Sequence, residues 1–322
     1  MPKHRSLVQR RGSAVAVTLV SLVGLALAGP SVGAAPQFGE WSAPVNLGPV
    51  VNSSNVEFGP AITPNGLSLY ISVFSASKGD EDIFVSHREK RTDPWGAPVA
   101  VASINTSANE RVPAFSRDGL TMVFSSDRAG GFGQLDLWMS RRENPRDDFG
   151  WGPPVNLGAG VNTAATDAGP WLFESEDADE NGDSPGAFLM FNSDRAGSQD
   201  LYTSVRRPDG SFANATATTE LNTPFTDARP TIRSDGLEMF FFSNRPGSRA
   251  ADLWTSTRSS TGDPWGTPVN VGLVVNSAFG EIQPYLSRDA RTLFFGSNRP
   301  GSNNGDIWMA TRTKAGHPED DD

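Results

Sequence analysis

Five carboxylates recur at one fixed place in this sequence: Glu57, Glu110, Asp167, Asp227 and Glu281. Each lies five positions after an Asn (Asn52, Asn105, Asn162, Asn222, Asn276) and three before a Pro (Pro60, Pro113, Pro170, Pro230, Pro284). Carboxylates in register can bind a cation or a polar ligand, accept backbone N–H groups and guanidinium partners, or act in pairs on a glycosidic bond. A second acidic group, Asp177, Asp179, Asn181 and Asp183 with Gly182 among them, has the spacing of the first half of a calcium loop. Oxygens at positions 1, 3 and 5 converge there because a Gly at position 6 turns the chain sharply. Pro185 and Phe188 stand where the ninth and twelfth ligands belong, so the expected calcium is a weak structural ion, with Glu174 or Glu176 as substitute ligands. Other chemistry is narrow. The chain has no Cys, which removes disulfides, thiolate metal sites and Cys nucleophiles. Its three His are His4, His87 and His317, too few for a His-rich metal site. His87 falls late in a strand and His317 in an acidic tail, so neither suits a Ser-His-Asp triad.

The elements that must position these groups are written as a repeat. A Trp phrase occurs as Trp41-Ser-Ala-Pro-Val45, Trp95-Gly-Ala-Pro-Val99, Trp151-Gly-Pro-Pro-Val155 and Trp265-Gly-Thr-Pro-Val269, with a decayed copy starting at Phe212. Each leads into the Asn–acid–Pro spacing. A short apolar stretch follows, then a turn at Asn65-Gly66, Asp118-Gly119 or Asp235-Gly236; these dipeptides favour two-residue hairpins with positive φ at both positions. The fifth copy has Asp289-Ala290 and loses the glycine, so more strain is expected there. A β-rich run such as Thr121–Ser125 or Met239–Ser243 comes next, then Ser-Asp/Asn-Arg-x-Gly at Ser126, Ser193, Ser243 and Ser297; the first copy departs from it at Ser75–Lys78. A strand led by Asp82, Asp136, Asp200, Asp252 or Asp306 closes the unit. No sustained helical period appears.

One four-stranded sheet of about 50 residues cannot bury both faces, and radial repetition solves this. The expected fold is therefore all-β: a single five-bladed propeller over 41–312. The first Trp phrase has no strands before it and the last unit has no Trp phrase after it. The N-terminal strand is thus expected to close the last blade. The run from Pro113 to Trp138, Pro-x-Phe-Ser-x-Asp-Gly-Leu-x-Met-x-Phe-Ser-Ser-Asp-Arg-x-Gly and then Asp-Leu-Trp, resembles the TolB-type, WD-like propeller repeat. The resemblance covers about 41–312 and implies an exported or envelope-associated propeller.

Residues 1–34 carry Lys3, Arg5, Arg10 and Arg11, then an apolar run at 14–28 and small residues. That is the form of a secretory signal, and the run is short of the ~20 residues a spanning helix needs. A periplasmic or secreted protein with no membrane span after cleavage is expected, with an acidic, disordered tail at 313–322. The net charge of −10 argues against a nucleic-acid partner.

A residue present in every blade is more readily structural than catalytic. Departures from the repeat therefore point to function: Arg111, Trp171, Arg229 and Tyr285 around the repeated Pro, with Arg233 and Gln283. With the five acids they are expected to form a ligand site at the channel mouth. The leading expectation is a monomeric, non-enzymatic binding or scaffold module for an envelope protein or a carbohydrate or cell-wall ligand. The alternative is a glycoside hydrolase using two mouth carboxylates.

Overall fold

The computed structural model describes Met1 and residues 38–175 and 186–315. The segment expected as a secretory signal, the 177–183 group and the end of the chain beyond residue 315 lie outside these.

The chain opens with β1 (Val45–Asn46) and then writes five sheets in succession. Blade one is β2 (Val56–Ile62), β3 (Ser68–Ser75), β4 (Asp80–His87) and β5 (Val99–Ala100). Blade two is β6 (Glu110–Phe115), β7 (Thr121–Ser126), β8 (Asp136–Arg141) and β9 (Val155–Asn156). Blade three is β10 (Asp167–Phe173), β11 (Phe188–Ser193), β12 (Asp200–Val205) and β13 (Thr216–Ala217). Blade four is β14 (Asp227–Ile232), β15 (Glu238–Ser243), β16 (Asp252–Thr257) and β17 (Val269–Asn270). Blade five has β18 (Glu281–Leu286), β19 (Thr292–Ser297) and β20 (Asp306–Thr311), and its outer strand is β1. Val45 pairs with Met309 and Asn46 with Trp308, antiparallel, so the expected closure holds. Pairing continues to Phe38 opposite Lys314, slightly beyond 41–312 at both ends.

The first strands form the inner ring: β2, β6, β10, β14 and β18 each touch the next, and β18 returns to β2. The second strands are buried on both faces between neighbouring blades, and every residue of β7 is buried. This is why Thr121–Ser126 reads as a continuous apolar and small run rather than an alternation. The Trp phrases fill the seams between blades. Trp151 of blade two sits edge-on to Tyr70 of blade one, and Trp41 of blade five edge-on to Phe240 of blade four. In four blades the Arg just after the third strand lies over the Trp: Arg88 over Trp95, Arg142 over Trp151, Arg258 over Trp265 and Arg312 over Trp41, at 4.1–4.5 Å from the ring centre.

Two local details differ from the sequence reading. The inner hairpins are not two-residue turns. Gly66 donates its N–H to Thr63 O, and Asn65 keeps negative φ, so only the glycine is left-handed. Ala290 takes the glycine position in blade five at φ 59°, where the strain was expected. The second difference is a bulge in every inner strand, between the residue after the acid and the residue after the Pro. The residue before each Pro is left-handed: Gly59, Val112, Gly169, Arg229 and Gln283, at φ 55–66°. A bulge leaves a residue unpaired, which is how a strand this central tolerates Pro, with no N–H to donate.

Candidate functional site

The five repeated acids open the inner strands, and all are buried, at 0–1 % exposure. Each accepts a hydroxyl hydrogen bond from the residue four positions earlier: Ser53, Thr106, Thr163, Thr223 and Ser277. Four of them also hold an Arg of the Ser-Asp/Asn-Arg phrase. Glu110 pairs with Arg128, Asp167 with Arg195, Asp227 with Arg245 and Glu281 with Arg299, at 2.5–3.0 Å. Each of these Arg donates a further hydrogen bond to a carbonyl of the preceding loop, at Ile104, Val161, Leu221 or Val275. The carboxylates tie strand, turn and loop together inside the blade; they are not displayed around the opening. Blade one lacks the Arg phrase. Glu57 Oε2 is buried with no partner, and burial raises the Glu57 carboxyl above its ordinary value, despite the Ser53 hydrogen bonds.

The repeated Asn is equally structural. Each one clamps the third strand of the preceding blade, accepting the N–H and donating to the C=O of one residue: Ile83 for Asn105, Leu137 for Asn162, Leu201 for Asn222, Leu253 for Asn276 and Ile307 for Asn52. The Asp leading the third strand accepts from an outer-strand Asn in three blades, as in Asn156 to Asp136.

What remains for chemistry is blade-specific, on the side of the ring where the inner strands start. Arg111 on β6 reaches across the seam to Glu81 on β4, with Nη1 at 3.2 and 3.0 Å from its two carboxylate oxygens. Aligned on the third-strand Asp, the positions matching Glu81 are Leu135, Gln199, Ala251 and Gly305, so this carboxylate belongs to blade one alone. Glu81 and Arg111 are partly exposed, and Arg229 lies next to them, its charge coupled to both. The Arg229 side chain crosses from blade four onto blade three, over Gly169. A Cβ on that glycine would run into Arg229 Cδ and Asn192 Oδ1. Asn192 in turn donates to Gln199 at 3.3 Å. Burial, with Arg111 beside it, drives the Arg229 guanidinium well below its usual value. Its Nη1, Arg111 Nε and Gln283 Oε1 are buried without partners.

Of the residues expected at the mouth, Arg111 and Arg229 are there and the five acids are within the blades. Trp171 and Tyr285 lie past the Pro ring. Their rings meet edge-on at 4.9 Å, closing the axis toward the opposite face. The central cavity among Gly59, Val112, Gly169, Arg229 and Gln283 is only about 10 Å³, room for one water at most. Sequence reading missed Glu81, Asn192 and Gln199. The signal for Glu81 was the departure of the first copy at Ser75–Lys78, which removes the Arg phrase and lengthens β3 and β4 to 8 residues against 6 in β7 and β8.

Larger space exists on the opposite face, a groove of about 700 Å³ between blades one and five, beside Trp95 and Arg88. Two of its guanidinium groups are already committed: Arg88 Nε donates to Gly66 O and covers the Trp95 ring, and Arg91 Nε donates to Asn65 O. Volume alone therefore does not select it. Ser68, His87 and Asp148 do meet in space, but not as a triad. Ser68 Oγ and Asp148 Oδ2 both approach His87 Nδ1, at 3.3 Å, and the Ser hydroxyl is given to Asp148 at 2.7 Å. The Asp177, Asp179, Asn181 and Asp183 group lies outside the described residues.

No family model matches the sequence, and no curated protein matches it. Solved structures do. An α-L-arabinofuranosidase from Lactobacillus brevis aligns with a TM-score of 0.57 and 13% identity, over 82% of this chain and 91% of that one. An endo-arabinase from Bacteroides thetaiotaomicron aligns with a TM-score of 0.54 and 13% identity, over 88% of this chain and 99% of that one. A putative TolB from Agrobacterium tumefaciens aligns with a TM-score of 0.42 and 15% identity, over 78% and 73%. At such identities the likeness shows the fold. The expectation of a non-enzymatic binding or scaffold module is nonetheless overturned by these neighbours, because the propellers matched along nearly their whole length are sugar-cleaving enzymes. The carbohydrate-active alternative is the better supported of the two.

Proposed function

We propose that the protein is a carbohydrate-active enzyme of the glycoside hydrolase class, taking a glycan at the mouth where the inner strands begin. The observation that carries this is the convergence of Glu81, Arg111 and Arg229, from three different blades, on one opening of a ring whose repeated acids are already bonded. The whole-length fold likeness to an α-L-arabinofuranosidase and an endo-arabinase supports it. Glycoside hydrolysis uses two carboxyl groups, one as proton donor and one as base or nucleophile. Glu81 is proposed as one of them, with Arg111 fixing its orientation. This changes the residues of the hydrolase reading: the ring acids are its frame and Glu81 is its chemistry. The leader at 1–34 fits export, which would bring the protein to cell-wall or extracellular glycans, and the TolB-like repeat is compatible with such a place.

The test is release of reducing ends from a panel of arabinan, xylan and uronate-containing polysaccharides. Turnover by the wild-type protein, and its loss by roughly 100-fold or more in Glu81→Gln with the melting temperature unchanged, is the expected result. A protein that neither cleaves nor is stabilised by any member of the panel overturns the reading.

A further inference from the structure

Arg229 is the least compensated charge at this mouth. It is 6 % exposed, and among the described residues no hydrogen bond or ion pair reaches its guanidinium. Buried cations are kept in proteins by a partner, because removing a charge from water is costly without one. The nearby carboxylate, Glu81, is already engaged by Arg111, which contributes a second positive charge and leaves its own Nε buried and unbonded. Two guanidinium groups thus share one carboxylate, inside a chain whose net charge is −10. The backbone is also committed to this arrangement. Arg229 and Gln283, both non-glycine, are held left-handed beside the opening, and Gly169 is bare beneath the Arg229 side chain. Gln283, on the lining of the same small cavity, leaves a further buried amide oxygen without a partner.

We infer that this mouth carries an anion subsite, in which Arg229 and Arg111 receive the carboxylate of an acidic sugar. The inference rests on the glycan reading above and narrows it from neutral sugars to a uronate-bearing chain. Recognition is by charge and by the planar fork that guanidinium offers a carboxylate. The carboxylate supplies the negative charge the site lacks, and Glu81 stays with Arg111 beside the bound residue. No covalent step is attached to the subsite.

The experiment compares matched ligands on the wild-type protein. Trigalacturonate and its methyl ester share one sugar chain, the ester replacing each charged carboxylate with a neutral methyl carboxylate, and arabinotriose serves as the neutral sugar. Calorimetry and thermal shift should show the free acid binding at least tenfold more tightly than the ester. In Arg229→Gln that preference should disappear, with a melting temperature equal to or above wild type because an unpaired buried charge has gone. If that variant does not fold, Arg229→Lys keeps the charge without the fork and should bind the acid several-fold more weakly. Equal binding of acid and ester overturns the inference. So does tight binding of acetate or inorganic phosphate with no gain from the sugar, since the site then holds any small anion. Binding and cleavage of arabinotriose without preference for uronate sinks the acidic subsite and leaves the hydrolase reading standing; no binding of any glycan removes that reading as well.

Discussion

Asn52 grips both backbone groups of Ile307, 255 residues away: its Oδ1 accepts the Ile307 N–H at 2.8 Å and its Nδ2 donates to the Ile307 carbonyl at 3.1 Å. The same clamp is made at every seam, but here it joins blade one to blade five and so completes the ring. Asn52 is 2 % exposed, so its removal leaves two buried backbone groups unsatisfied. Asn52→Ala is expected to cost about 2–4 kcal/mol. Urea unfolding checks this. A loss below about 1 kcal/mol would mean that β1 alone secures the seam.

The five ring acids should respond differently to amide substitution. Glu281→Gln leaves Arg299 without its anion and should cost about 2–3 kcal/mol near neutral pH. Glu57 has no Arg, and burial raises its carboxyl. The folded state then holds that proton more tightly than the unfolded chain. Stability from Glu57 is therefore present below the unfolded value, near 4.5, and is lost as pH rises through the raised one. Glu57→Gln should remove that fall, matching or exceeding the wild type near pH 7 and gaining nothing near pH 4. Melting temperatures across pH 4–8 decide it. A Glu57→Gln protein as damaged at neutral pH as Glu281→Gln would refute the distinction.

Gly169 combines a φ of 66° with a floor position under Arg229. Gly169→Ala must strain the backbone and displace Arg229 together, at a cost of about 2–4 kcal/mol. Gly59→Ala has the same backbone strain but meets only Val112 and Ser72, at 3.0 Å or more. It should be the milder change. Equal melting temperatures for the two would show that Arg229 moves aside freely.

Arg111 orients Glu81 at 3.0 Å. Arg111→Ala should therefore lower kcat while Glu81 is still present, and should add little once Glu81 is already Gln. Kinetics of the two single variants and the double variant measure this coupling. Independent, additive losses would separate Arg111 from the chemistry.

Much of the architecture was legible because it is written at constant spacing. The Asn–acid–Pro interval marks each inner strand, and the orphan phrase at Trp41 marks the closure with β20. The strain at Ala290 could be read from one missing glycine. The direction of the side chains could not. A bulge before each Pro resets the alternation of the inner strand, so faces counted by twos from Asp167 do not carry past Pro170 to Trp171. Trp171 and Tyr285, past the bulge, consequently meet across the axis, while the acids, before it, are drawn into the blades by their hydroxyl and Arg partners. Glu81 escaped because its partner, Arg111, stands on another blade, and the sequence marks only the departure of the first copy at Ser75–Lys78.

The stopped axis sets how such a site would handle a polymer. The axial cavity lined by Arg229, Gln283, Trp171 and Tyr285 is about 10 Å³, and the Trp171 and Tyr285 rings meet edge-on on its wall. An axis this narrow does not pass a sugar, so on the proposed function a glycan would approach and leave by the same face of the ring. On that function product and incoming substrate would share one approach, and inhibition by the released sugar is the expected outcome.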